Sequence, residues 1–532
     1  MVLSLENITI GALLRRTAQQ YPRNVALEYG DKEWTYAQMD RHVDTLARML
    51  LGCGVKKGDH VGIWCEAEPN TIFMLYAVTR IGAVATMLNT SLQRRELTEL
   101  LRRSDVAWLL IGDGYKEVHF PTQVFGLCGE LPKLRQILYI GQSGQNYGYT
   151  TLEQLHKTIA PPEALAAAEA AVSPQDTATI LYTSGTTSSP KAVLSSHYSR
   201  ANSGLQQAYD LHATEKDKFC VAMPVFHCFC LSVNVMAACA VGACLHLPQS
   251  RRTAALLNAI VQRRCTVFSC VPTLYHAVLC RQDFARWDLS SLRVGFIGGS
   301  MYPPAMFKEI EQKFDFTLLS SLGQTEATAG ITTASFADPL ELRATTVGHF
   351  MSHVEGKIAH PVTGAPLPPG QSGEICVRGY VVMQGYYGMP EATAKTVDAE
   401  GWLHTGDMGC MDEAGNIRLT GRLKDLIIRG GENISPAELE NLLAGDPRVE
   451  KCKAVGVPDD HYGEEVCLCI LPTAENTAAP EEFRALMAQH LAEFKVPRYV
   501  LFFDALPCTT TGKVRTEQLK QQAAARLGLL PQ

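Results

Sequence analysis

The chain reads as an α/β protein in two unequal parts, a large mixed body of sheets and helices followed by a small α+β unit. Three observations predict this. Helix-period and strand-like segments alternate over most of the length. At 532 residues the chain exceeds an average domain of roughly 100–200 residues, so several structural units are expected, one of them large. A break near Gly421 to Lys424 precedes a short, self-contained run of elements. The hydrophobic fraction of 46% is ordinary for a globular chain and excludes a disordered one. A core of that size needs no disulfide staples.

In chain order, Arg41–Leu51 predicts a helix, with Val43, Leu46, Ala47 and Leu50 on one face. Gly58–Cys65 predicts a strand, Thr71–Ile81 a second helix and Val106–Ile111 a second strand. Gly52, Gly54 and Gly58 imitate a dinucleotide fingerprint, but they follow a helix and are spaced GxGxxxG, which predicts a helix-to-strand turn. Pro161–Pro174, with its EALAAAEAAV centre, reads as a surface helix or spacer. Phe219–Ser250 holds no Asp, Glu, Lys or Arg and is long enough to cross a bilayer. Pro224, His227, Ser232, Asn234, Gly242 and His246 interrupt it, which favours a buried strand, loop and helix. Past Gly421, strands are expected at Cys452–Val457 and Val466–Leu471, with helices at Pro436–Ala444 and Pro480–Phe494. No solenoid-period repeat is evident.

The net charge of −6 argues against a nucleic-acid surface, which needs dense Lys and Arg. The 17 cysteines are odd in number, so at least one has no partner within the chain. Cys239 and Cys244 sit in apolar runs, where free Cys acts as a small hydrophobe. Cys228-Phe-Cys230 and Cys467-Leu-Cys469 are too closely spaced for a zinc site and lack a matching His pair. A reducing cytoplasm is therefore the expected compartment. The opening segment carries Glu6 and no basic n-region before its apolar residues, so no secretory signal is expected.

The most informative block is Ile180–Val193, where an apolar strand runs into Tyr182-Thr-Ser-Gly-Thr-Thr-Ser-Ser-Pro-Lys191. Hydroxyls and backbone N–H groups at a strand end can surround a phosphate without crowding it, and a Lys adds charge. A Walker A loop is excluded because the second glycine of its pattern is absent.

Thr183–Lys191 resembles the phosphate loop of the adenylate-forming (AMP-binding) enzymes, which include acyl- and aryl-CoA ligases, luciferases and the adenylation domains of peptide synthetases. That loop usually reads TSGTTGxPKG; Ser188 and Ala192 replace two of its glycines, which predicts a working loop of altered mobility. Four further segments match in the family's order: Ser320–Ala327, Gly401–Asp407, Gly421–Asp425 with Arg429–Asn433, and Leu506–Arg515. The resemblance implies an adenylate-forming domain at residues 1–421 and a mobile lid at residues 422–532, hinged near Lys424.

By the same resemblance, Thr183, Ser184, Gly185, Thr186, Thr187 and Lys191 hold the β- and γ-phosphates of ATP. Glu326 and Thr186 hold Mg²⁺, a hard cation suited to oxygen donors, and Thr325 bonds the α-phosphate. Gly298, Gly299 and Ser300 let the backbone approach the nucleotide and acyl group, with Leu322 and Gly323 beside adenine. Leu322 stands where the family usually has Tyr, replacing a flat face with apolar contact. Asp407 and Arg422 contact ribose, and Lys513 bridges the acyl carboxylate and the α-phosphate. Rotation about Lys424 would exchange Lys513 for Gly430 and Gly431, opening room for the pantetheine of coenzyme A.

Met223–Asn234 resembles the stretch that gates and lines the acyl pocket, with His227 as the aromatic gate. Amino-acid-activating members typically carry an Asp there; this stretch is free of charge, and a buried ammonium without a counter-charge is costly. The expected substrate is therefore an uncharged fatty or aryl acid, activated as an acyl-adenylate and passed to coenzyme A as a thioester. No carrier-type Ser follows the lid before Gln532, so a separate acceptor is expected. A carnitine- or betaine-type acid, loading of a separate carrier protein, luciferase-like oxidation and a non-catalytic acyl-nucleotide-binding regulator stay open. So does a homodimer.

Overall fold

The computed structural model describes residues 3–143, 145, 147–183, 190–429, 432–459, 461–474, 478–508 and 514–529, with backbone only at Glu432 and Asn433. Two large sheets organise the first three-quarters of the chain. One has seven strands in the order Thr317–Ser321, Val294–Gly298, Val267–Phe268, Lys218–Cys220, Cys244–Leu247, Val25–Tyr29 and Lys32–Thr35, all parallel except the last. The other has eight, in the order Gly385–Tyr386, Ala192–Ser196, Thr177–Tyr182, Val84–Met87, His60–Trp64, Val106–Ile111, Gln136–Tyr139 and Thr150–Thr151. Its first two pairings are antiparallel and the rest parallel.

The main core lies between these sheets. Leu27 and Leu245 of the first share a cluster with Val61, Ile63 and Leu110 of the second, through helices Ile10–Gln20, Tyr36–Gly52 and Pro69–Arg80. Pro69–Arg80 is buried on every face, as a helix enclosed between two sheets must be. It ends in Arg80, a wholly buried cation paired with Asp40 at 2.6 Å and Asp44 at 2.5 Å. Arg15 joins the same carboxylates and reaches Glu169 at 2.6 Å. That contact docks the Ala/Glu-rich segment, which forms the mostly exposed helix Pro162–Ala170.

Four antiparallel strands, Val354–Ala359, Gly373–Gly379, Leu403–Met411 and Ile417–Arg422, follow. The C-terminal unit has its own five-stranded sheet: Glu432–Ile434, Ile427–Arg429, Gly463–Pro472, Val449–Asp459 and Tyr499–Phe502. It also has its own core, with Ile427, Leu439, Leu468 and Phe483 in one cluster and Val457, Cys467 and Leu519 in another. The predicted strand at Val106–Ile111 appears with those bounds. Gly54 and Gly58 take the left-handed conformation, at φ +91° and +82°, in the turn expected of them. Pro480–His490 stops short of the predicted Phe494: Leu491 turns to extended backbone, and Phe494 packs into the unit's core from a separate 3-10 turn.

The charge-free segment resolves into the buried strand, loop and helix expected. After the loop, Cys230–Met236 is a wholly buried π-helical stretch that continues as Ala237–Val241 and leads into Cys244–Leu247. Among the described residues no helix is long and apolar enough to cross a membrane. All 17 cysteines are free, Cys228, Cys230, Cys467 and Cys469 included.

One buried carboxylate makes stability depend on pH. Glu28 is 3% exposed and is held by Lys218 at 2.5 Å and His246 at 3.1 Å. Burial opposes its ionisation, but the hydrogen bonds from His246 and Lys218 outweigh it and hold the carboxyl at about 2. A carboxyl depressed in the fold contributes stability above its unfolded value and loses it as pH falls toward the folded one. Glu28→Gln is expected to lower the apparent Tm at pH 7, at a cost of about 1–3 kcal/mol from weakening the bonds to buried His246 and half-buried Lys218. The gap to wild type is expected to narrow progressively as pH falls from about 5 to about 2 in thermal melts of the two proteins.

Candidate active site

The hydroxyl-rich segment is the loop of a hairpin. Strands Thr177–Tyr182 and Ala192–Ser196 pair antiparallel, with Tyr182 opposite Ala192. Its base is closed twice: the Thr183 N–H donates to the Lys191 carbonyl at 3.1 Å, and the Lys191 N–H donates to Thr183 Oγ1 at 3.2 Å. Ser184, Gly185, Thr186, Thr187 and Ser188 lie outside the described residues. Ala192, one of the two residues in place of a family glycine, is a buried strand residue whose carbonyl accepts from the Tyr387 N–H at 2.8 Å. It does not adopt the left-handed conformation that would require glycine.

Lys191 leaves this hairpin with its ammonium over the Tyr386 ring, 4.5 Å from the centroid. The Tyr386 hydroxyl donates to Glu326 Oε1 at 2.8 Å. Burial and the neighbouring Glu326 both raise the phenol, so it stays protonated and remains a donor. One aromatic side chain thus holds the cation and the carboxylate together, with Glu326 Oε2 the oxygen able to meet a metal ion. The fit to Mg²⁺ is chemically sound: a carboxylate oxygen, the donor type a hard cation takes, stands on the ring that carries Lys191.

Glu326 and Thr325 sit in the 3-10 turn Thr325–Ala327. The Met383 N–H donates to the Glu326 carbonyl at 2.8 Å, and Thr328 Oγ1 donates to the Val381 carbonyl at 2.7 Å. Thr325 Oγ1 contacts Cys228 Sγ at 3.8 Å, which joins this turn to the acyl-pocket stretch. His227 lies one residue away with its ring against Phe226, 4.6 Å between centroids. Below them is Arg200, wholly buried, which donates to Ser232 Oγ at 3.0 Å and the Thr328 carbonyl at 2.5 Å.

Strands Val294–Gly298 and Thr317–Ser321 are parallel neighbours with Gly298 opposite Ser321. Gly299, Ser300, Leu322 and Gly323 therefore emerge side by side at the C-terminal edge of the sheet, the usual place for ligands in such sheets. Gly299 is at φ +86°, and Gly299 and Ser300 are exposed. Gly323 has no alternative: a Cβ there would lie 1.9 Å from the Ala329 carbonyl oxygen. Leu322 is 8% exposed and packs with Ala327, Ile331 and Val347, so little of it is left to meet a ring.

Asp407 and Arg422 are cross-strand partners, and Arg422 Nε meets Asp407 Oδ1 at 2.9 Å. The carboxylate is 5% exposed. Lys424 follows in the turn Leu423–Asp425, where burial lowers its ammonium pKa. Gly430, Gly431 and Lys513 lie outside the described residues. The ends of the Lys513 segment do not: Cys508 bridges Val514, and the Arg515 N–H donates to the Pro507 carbonyl at 2.7 Å.

The structure thus brings Lys191, Glu326, Thr325 and His227 into one connected region. Sequence reasoning missed Tyr386 and Arg200. Tyr386 lies in Gly385-Tyr-Tyr387 with no chemical neighbour in sequence, and Arg200 is one basic residue in a polar helix. Only pairing of distant strands and helices reveals either.

The chain matches the AMP-binding enzyme family over residues 14–387 and the AMP-binding enzyme C-terminal domain over residues 438–513. It is 37% identical to YngI of Bacillus subtilis (strain 168), which carries an acyl-CoA synthetase name, over 98% of each chain. It is 32% identical to the mitochondrial medium-chain acyl-CoA ligase ACSF2 of Rattus norvegicus, over 99% of this chain and 89% of that one. Among solved structures, o-succinylbenzoate CoA synthetase (MenE) from Bacillus subtilis, in complex with the acyl-adenylate intermediate OSB-AMP, superposes with a TM-score of 0.79 at 27% identity. That match covers 97% of this chain and 99% of the other. Two family segments in order, and relatives matched nearly end to end, place this chain in the AMP-binding enzyme family, whose adenylate-forming fold it shares.

Proposed function

We propose that this chain joins an uncharged fatty or aryl acid to coenzyme A. The reaction class is ATP-dependent acid:CoA ligation, with pyrophosphate and AMP as products. The observation that carries the assignment of the site is the meeting of Lys191 and Glu326 on Tyr386, at the base of the hydroxyl-rich hairpin.

A carboxylate is a poor electrophile, and transfer of AMP gives it a leaving group. In the first step a carboxylate oxygen attacks the α-phosphorus and the bond to pyrophosphate breaks. Catalysis of such a step is mostly positioning and charge neutralisation. The Thr183–Thr187 hydroxyls and N–H groups and the Lys191 ammonium hold the β- and γ-phosphates. Glu326 and Thr186 would hold Mg²⁺, which would supply neutralisation of phosphate charge. Thr325 bonds the α-phosphate, and Lys513 spans it and the acyl carboxylate. Asp407, steadied by Arg422, accepts the ribose hydroxyls. Gly299, Ser300, Leu322 and Gly323 form the wall beside nucleotide and acyl group, with His227 at the acyl gate.

In the second step the thiol of coenzyme A loses its proton, its sulfur attacks the acyl carbon, and AMP leaves. We place the boundary between residues 421 and 422, with Lys424 as the hinge. Rotation there takes Lys513 out and brings Gly430 and Gly431 in, where the lack of side chains leaves a path for pantetheine. The charge-free pocket stretch, with Phe226, Cys228, Phe229 and Cys230, supports an acid without an ammonium group. Seventeen free cysteines support a reducing compartment such as the cytoplasm.

Pyrophosphate release, with coenzyme A present, is expected with medium fatty acids or with benzoate- and cinnamate-type acids. Release with amino acids or betaines alone would sink the substrate reading. Lys513→Ala is expected to cut acid-dependent pyrophosphate release roughly 10²–10³-fold. It should largely spare thioester formation from supplied acyl-AMP, so equal loss of both half-reactions would contradict the exchange of lid faces. Tyr386→Phe keeps the ring under Lys191 but removes one hydrogen bond to a carboxylate. Its kcat/KM for ATP is expected to fall about tenfold, matching about 1.4 kcal/mol, and Tyr386→Ala is expected to fall further.

A further inference from the structure

A second group of chemically active side chains lies one strand turn from Asp407, and the reaction above does not use it. Glu374 and Cys376 are two apart on strand Gly373–Gly379 and share a face. Cys376 pairs across the sheet with His404 of Leu403–Met411. The register shifts between Glu374 and Cys376, a bulge of the kind that re-aims side chains. The carboxylate, thiol and imidazole then converge: His404 Nδ1 is 2.8 Å from Glu374 Oε2 and 3.6 Å from Cys376 Sγ, and that sulfur is 3.9 Å from Glu374 Oε2. Glu374 and Cys376 are buried, at 5% and 0% exposure.

We propose that Glu374, Cys376 and His404 bind a thiophilic divalent cation of the zinc class, through one oxygen, one sulfur and one nitrogen. Tetrahedral zinc with these donors has edges of about 3.3–3.6 Å between them, and the observed edges run from 2.8 to 3.9 Å. Three protein donors leave a fourth position for water or another ligand. The outer partners are also built. His404 Nε2 faces Asp398 Oδ2 at 3.5 Å, the carboxylate–imidazole arrangement that orients a ligating His. Asp398 is itself fixed by the N–H groups of Glu400 and Trp402, each at 2.9 Å. Glu374 Oε1 accepts the Gly406 N–H at 2.9 Å, which leaves Oε2 for the metal.

Binding is proton-balanced. The metal–sulfur bond forms as the Cys376 thiol proton passes to solvent, and the proton shared by Nδ1 and Oε2 is displaced likewise. Glutamate and thiolate together offset the dication. The neighbouring cations are engaged elsewhere: Lys357 lies over the Trp402 ring at 4.4 Å, and Arg378 pairs with Glu355 at 2.6 Å. The mixed donor set separates this site from Glu326, whose oxygen suits Mg²⁺. The proposal does not depend on the acid or on the ligase mechanism.

Co²⁺ titration of the reduced full-length chain, without nucleotide and with a phosphine reductant, tests it. A single equivalent should give thiolate-to-cobalt charge-transfer absorption, displaced by Zn²⁺ and indifferent to Mg²⁺. Cys376→Ala should abolish the band. Asp398→Asn, a change in a loop, should weaken affinity about tenfold while leaving the fold intact. Cys280 lies 3.3 Å from His276 Nε2 on an exposed helix end, so Cys280→Ser is the control and should change nothing. No band in the wild type, a band that survives Cys376→Ala, loss with Cys280→Ser, or unchanged affinity in Asp398→Asn would each overturn the assignment.

Discussion

The buried Arg200 guanidinium ties the site together. It is wholly inaccessible and bonds only to neutral oxygens: Ser232 Oγ, the Thr328 carbonyl, Thr179 Oγ1 and Ser195 Oγ. Thr179 and Ser195 face each other on the two strands that flank the hydroxyl-rich segment. Ser232 belongs to the π-helical stretch of the acyl pocket, and Thr328 closes the turn that bears Glu326. Burial lowers the pKa of Arg200 to about 10, so it stays charged at neutral pH. A desolvated cation is costly unless its donors are met; Nε has no partner among the described residues, and the partners of the two terminal nitrogens come from all three segments at once. The hairpin, the π-helical stretch and the Glu326 turn are therefore tied together through one side chain.

That buried tie contrasts with the join to the C-terminal unit. Its core is separate, and a polar contact joins it to the body. Ser435 Oγ donates to the Thr420 carbonyl. Polar ties of this kind exchange readily with water, whereas a shared apolar core does not. Two units with separate cores suit a reaction whose two steps need different groups at the same carbon.

The candidate site was legible in the sequence as motifs because the patterns that mark it are local. Six hydroxyls before Pro190-Lys191, and the ordered segments around Glu326, Asp407, Lys424 and Lys513, keep their meaning when read as strings. Phe219–Ser250 was legible for a different reason: polar and helix-breaking residues at spaced positions exclude a bilayer span. The cluster of Glu374, Cys376 and His404 was not legible, since nearly thirty residues and a register shift separate its two halves. Leu322 was only half legible. Its identity announces the loss of an aromatic ring, but its burial against Ile331 and Val347 depends on strands brought in from elsewhere.

The sequence by itself determined the fold class, the division into a large body and a small unit, and the family's chemistry. Alternating periodicity, glycine-flanked breaks and short motifs are encoded by neighbours in the chain. Tertiary structure alone decided that Tyr386 joins Lys191 to Glu326, that Arg200 pins three segments, and that a thiol meets an imidazole and a carboxylate. These contacts link residues up to about 200 positions apart. Their formation depends on sheet register and helix packing, which the full set of buried contacts sets together.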